Sequence, residues 1–186
     1  MGRLGKRLIG IAVGVVLFIV IQEMRSHRGS SGETGETTKV TDKDVNTYLQ
    51  IMRATAARVK NPLPDDLATV DAFSRIPNVH TAQSSELTED QKNTIFRAIR
   101  LTSQLDDIVA EEQNVASYSN AKEAVESILP APDEENPPQA GGGLTASEKK
   151  ALSSGGAKAL APYGEEIRAL QIEIYNNPLR KTVKGN

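Results

Sequence analysis

The chain has 186 residues, a formal charge of −2, two histidines and no cysteine, and aromatic side chains make up only 4% of it. This composition excludes disulfides, thiolate catalysis, cysteine-based metal or c-type haem attachment and lipoprotein acylation. The length allows one modest domain beyond an anchor and a tether, and without tryptophan its core must be built from Ala, Leu, Ile and Val.

Leu8 to Ile21 is the only fully apolar run, entered through Arg3, Lys6 and Arg7. A helix over that run alone reaches about 21 Å, short of the ~30 Å hydrocarbon core. Extended from Leu4 to Met24 it reaches about 31 Å, with Lys6 and Arg7 snorkelling to the headgroups. Gln22 to Arg28 lacks the small residues of a signal-peptidase site, so residues 1–25 are expected to be an uncleaved transmembrane anchor, with the bilayer contacted by residues 4–24. Positive charge before the span outweighs Arg25 and Arg28 after it, which Glu23 offsets. This bias predicts a single-pass protein of the inner membrane, amino terminus in the cytoplasm and the remainder periplasmic. Within the span, Gly10 and Gly14 stand one turn apart as a G-x-x-x-G. They clear a strip on which a second membrane helix can pack.

Residues 26–40 are rich in Ser, Gly, Thr and Glu and read as a flexible linker. A helical domain is expected over 41–129. Its first helix opens at Thr41-Asp42-Lys43-Asp44, carries Val45, Tyr48, Leu49, Met52, Ala56 and Val59 as an apolar stripe, and stops at Asn61-Pro62. A short helix over Pro64 to Ile76 places Leu67, Val70 and Phe73 on one face, and irregular chain follows to Glu86. Thr88-Glu89-Asp90-Gln91 is a capping box, and Ile95, Ile99, Thr102, Leu105, Val109 and Val115 predict one helix from it to about Ser117. A third helix is expected over Ala121 to Leu129, capped by Ser119 or Asn120.

Residues 130–143 hold four prolines and a triple glycine and predict an extended arm. A C-terminal helical segment over 144–177 restarts at the capping box Thr145-Ala146-Ser147-Glu148, weakens at Ser153 to Gly156, and ends with a helix over Glu165 to Tyr175. Residues 178–186 read as a basic tail. The pattern leaves open whether the two helical groups form one bundle or dock separately. No stretch has the alternation of a strand, so the predicted class is all-α, one transmembrane helix plus a small extracytoplasmic helical domain.

Residues 29–177 carry 14 basic and 23 acidic side chains, a net of −9. Such a body is a poor nucleic-acid binder, which needs a basic face. Asp106, Asp107, Glu111 and Glu112 form the densest acidic group and are the candidate docking face for a basic partner. They lack the loop pattern of a calcium site. His27 and His80 lie too far apart in the pattern to predict a haem pair, neither completes a Glu-x-x-His motif, and the nearness of Ser84, Ser85 and Asp71 to His80 is not evidence of a triad. No cofactor, metal or catalytic residue is therefore expected. The sequence points to a non-catalytic accessory or scaffolding subunit of a larger membrane complex, by analogy respiratory or photosynthetic, whose partners are other membrane-protein subunits. The alternative is a free-standing anchored module whose acidic face docks a small basic protein or an envelope ligand.

Overall fold

The computed structural model describes residues 39–80, 82, 84–138 and 142–184, and among them every regular element is helical. The anchor expected over Leu4 to Met24, with Gly10 and Gly14, lies outside the described residues. Among the described residues no helix is long and apolar enough to cross a membrane.

Helix α1 (Asp42–Lys60) opens where expected. Thr41 and Asp44 close a capping box, the Thr41 hydroxyl accepting from the Asp44 amide at 3.2 Å and the Asp44 carboxylate from the Thr41 amide at 3.0 Å. Val40, assigned from sequence to the linker, is already buried in the core. Helix α2 (Pro64–Ser74) starts on a proline and buries Val70 and Phe73, but Leu67 is turned outward rather than sharing their face.

The single helix expected from Thr88 to Ser117 is two helices, α3 (Glu89–Ser103) and α4 (Leu105–Glu112), broken at Gln104. The hydroxyls of Thr102 and Ser103 bond back to the carbonyl of Ile99, at 3.1 and 2.7 Å, and Thr102 also reaches that of Ala98. Such back-bonding competes with the helical ladder and bends it. Helix α4 then ends at Asn114, which takes a left-handed conformation (φ 55°) that asparagine tolerates, while the Val115 amide bonds the Ala110 carbonyl at 2.9 Å.

Helix α5 (Tyr118–Glu126) begins and ends three residues earlier than expected, with neither Ser119 nor Asn120 as its cap. Tyr118, Lys122 and Glu126 thereby stand four residues apart on one face. Beyond the arm come α6 (Ala146–Leu152), whose capping box forms as read, and α7 (Gly164–Tyr175). A Cβ at Gly164 would lie 2.5 Å from Leu152 Cδ1, so glycine permits this close approach. The expected basic tail is instead helix α8 (Leu179–Lys184). Asn177 Oδ1 accepts from the Leu179 amide at 3.0 Å, and Val183 is buried.

Helix α1 packs on α4, α5 and α7, while α2, α3 and α8 pack on one another. Two apolar clusters result. The larger joins Tyr48, Leu49, Ile51 and Met52 to Val109, Val125, Leu129, Leu160 and Ile167; the smaller joins Val59 to Val70, Phe73, Leu101, Leu105 and Val183. Residues on both sides of the arm therefore share one core. The arm is fastened too: the Pro130 carbonyl accepts from Arg168 at 3.0 Å, and Glu134 pairs with Lys184 and Arg180 of α8.

At the turn between α1 and α2, Arg58 donates in a fork to Asp66 at 2.7 and 2.8 Å and to Glu112 of α4 at 2.6 Å. Asp66 also accepts from the Leu63 amide at 3.0 Å. The pair is largely out of water, at 11% and 5% side-chain exposure. Replacing Asp66→Ala leaves the guanidinium with Glu112 alone and removes the cap, and we expect a loss of about 2–4 kcal/mol in urea unfolding. A loss below about 1 kcal/mol would place this joint among ordinary surface ion pairs.

Candidate functional site

The densest set of polar side chains lies where α1, α4, α5 and α7 meet. Each helix supplies polar groups because its apolar stripe faces the same core and polar residues interrupt or border it. Tyr118 of α5 donates to Asp106 Oδ2 of α4 at 2.5 Å. Lys122, one turn on, reaches Asp106 Oδ2 at 2.6 Å and Asp107 Oδ1 at 3.2 Å. Tyr48 of α1 donates to Glu126 Oε1 at 3.2 Å and accepts from Gln171 Nε2 of α7 at 3.1 Å. Gln171 also donates to the Leu129 carbonyl at 2.9 Å, while its Oε1 is buried without a partner among the described residues. The two phenol rings stack at 6.1 Å between centroids, 15° from parallel, and Met52 Sδ lies 3.7 Å from the Tyr118 hydroxyl.

Burial governs the ionisation of these groups. It pushes the Tyr118 phenol far above its ordinary range, and the neighbouring Asp106 carboxylate adds to the shift. Tyr48 is raised for the same first reason, then by the charge of Glu126. For Lys122 burial works the other way, yet Asp106, Asp107 and Glu126 together overcome it and the ammonium is held more firmly than usual. Glu126 is raised, first by burial and further by Asp106 and Asp107, against the pull of Lys122 and the Tyr48 hydrogen bond. Tyr118 beside Asp106 has the form of a hydroxyl with a base, but the residue is only 1% exposed and its phenol is hard to ionise. The arrangement holds four helices together.

The four acids proposed as a docking face do not form one open surface. Asp106 is buried under Tyr118 and Lys122, and Asp107 shares that ammonium. Glu111 is exposed but pairs with Arg100 at 2.6 Å, and Glu112 with Arg58 at 2.6 Å. Each acid thus faces a cation of its own domain. His80 lies edge-on to Phe73 at 5.8 Å, and Asp71 is paired with Arg75 at 2.7 Å. Among the described residues no group of three histidine or acidic side chains could hold a metal ion. Sequence reasoning passed over Tyr118 and Lys122 and read Glu126 only as one of the acids that follow Glu112. Their spacing of four along α5 was the available signal.

Compared with protein-family models, curated proteins and solved structures, the chain gives no match.

Lys122→Met keeps the apolar stem and removes the ammonium, leaving Asp106 buried and unpaired. At pH 7 we expect urea unfolding to lose about 3–5 kcal/mol, against about 1.5–3 kcal/mol for Tyr118→Phe, which deletes one hydrogen bond to a charged group. The reverse order would mean that water, not Lys122, balances Asp106.

Proposed function

We propose that this chain is a non-catalytic, single-span accessory subunit of a larger membrane assembly, held by Leu4 to Met24 and carrying its helical domain on the extracytoplasmic side. One observation supports the reading above others. The only long apolar run, entered through Arg3, Lys6 and Arg7, is joined to a domain whose polar groups at the helix junctions are used to hold its own helices. Gly10 and Gly14 would supply the packing strip toward neighbouring membrane helices. Leu63, Leu67 and Phe96 are large apolar side chains left in solvent and would be available to a partner. The alternative, a free-standing module docking a basic protein, draws on the net charge of −9 over residues 29–177. It is weakened by the internal pairing of Asp106, Asp107, Glu111 and Glu112.

Protease added to intact spheroplasts should remove the domain and leave the anchor; protection of the domain would refute the topology. Mild detergent extraction and native electrophoresis should then show the protein migrating with a large complex, not as a species of ~20 kDa. Replacing both Gly10 and Gly14 with Ile keeps the span apolar but fills the strip, weakening lateral packing by about 1 kcal/mol. The double variant should leave the complex at lower salt than the natural protein. Equal retention at every salt concentration would reduce the anchor to a tether and favour the free-standing module.

A further inference from the structure

Helix α8 is six residues long, well below the ~12–15 residues at which a helix holds its shape in water unaided. Its order therefore depends on what it touches. It packs on α2 and α3, and its apolar side is a pair four residues apart: Val183, buried, and Leu179, half-buried. Both belong with the smaller cluster, beside Val59, Val70, Phe73, Leu101 and Leu105.

The two ends of α8 are fastened differently. At the near end the chain is fixed to α7. Asn177 is buried, and its amide bonds the Ile174 carbonyl at 3.1 Å. Its side-chain oxygen takes the Leu179 amide and its carbonyl the Arg180 amide, each at 3.0 Å. The Arg180 guanidinium lies 4.6 Å from the centre of the Tyr175 ring. At the far end, among the described residues, the polar hold is Lys184 on Glu134 of the arm, with Arg180 as a second cation 3.7 Å from the same oxygen. Glu134 is presented from a braced turn. The Asp133 carboxylate accepts from the Glu135 and Asn136 amides at 2.9 and 2.6 Å, and Arg168 of α7 holds the Pro130 carbonyl.

We propose that α8 is a hinged lid over the apolar groove between α2 and α3, turning at Asn177-Pro178 and latched at its free end by Glu134. The latch is open to solvent, with 64% of the Glu134 side chain in water, so salt weakens it. The hinge is made of uncharged backbone and amide contacts and lacks that sensitivity. Helices α2 and α3 also pack directly on each other, so the lid lifts without unfolding the domain. Raised, it uncovers the cluster that Val183 and Leu179 close.

Amide hydrogen exchange of the full chain in detergent, read by mass spectrometry at about 50 mM and about 1 M salt, tests this. At low salt, residues 180–184 should be protected, but less than residues 89–103 of α3. Glu134→Gln should lower protection over 180–184 about two- to five-fold, the scale of a surface ion pair, and leave 89–103 unchanged. Lys184→Gln removes the same pair from the other side and should match it. At 1 M salt the Debye length is ~3 Å, and the natural protein should fall toward the variants. If either variant disturbs α3, the salt series of the natural protein decides. Protection over 180–184 equal to that of α3 at both salts would mean that α8 opens only with the whole domain, and there is no lid. Equal protection of variants and natural protein at low salt, or no response of the natural protein to salt, would remove the latch.

Discussion

Helix α1 is the wall on which both apolar clusters are built. Tyr48, Leu49, Ile51 and Met52 lie in the larger cluster, and Val59, toward its far end, in the smaller. Burying each such side chain contributes about 1.5–3 kcal/mol, but a chain with four tyrosines, three phenylalanines and no tryptophan has few large residues to spend this way. Alanine therefore fills much of the helix contact, at Ala110, Ala121, Ala124 and Ala157. Small residues bring helices close and leave little area between them.

Ionic joints take up part of the task of choosing which helices meet. Arg58 ties the α1–α2 turn to α4, Lys122 ties α5 to α4, and Arg168 ties α7 to Glu148 of α6 and to the start of the arm. Buried ion pairs are a poor source of net stability, because the desolvation of two charges offsets most of their attraction. Their effect is directional. A guanidinium already bonded in a fork to Asp66 accepts few alternative packings, whereas an alanine-lined contact accepts several. The exposed bridges between α1 and α7, Arg53 to Glu166 and Lys60 to Glu173, carry less weight, as surface pairs contribute about 0–1 kcal/mol.

This use of charge bears on function. The acids at the helix junctions are matched by cations of the same domain, while the net charge of −9 over residues 29–177 stays as a diffuse field. Apolar groups also remain outside the core: Leu63, Leu67 and Phe96 on the described domain and, in the sequence, the run Leu8 to Ile21 with its two glycines. Under the function proposed above, both would serve association through packing.

Local chemistry was legible in the sequence. The capping boxes at Thr88 and Thr145 and the cap at Thr41 mark three helix starts, because a hydroxyl and a side chain three residues on interact whatever the rest of the chain does. The all-helical class followed from the spacing of apolar residues. The break at Gln104 was carried by Thr102 and Ser103, but hydroxyls in a helix bond backward or outward according to their surroundings. Helix α8 was obscured by its charges, although Asn177-Pro178 is a start signal and Leu179 and Val183 share a face. The candidate site was beyond reach for a different reason. Tyr48 and Glu126 lie 78 residues apart, and Gln171 meets Tyr48 across 123. Sequence spacing places Asp106 and Asp107 within one long helix, where they look like a solvated or docking acidic face. Only the packing of α5 against α4 brings Lys122 and Tyr118 over them, because a carboxylate can enter a core solely where distant parts of the chain supply its ammonium and its hydroxyl.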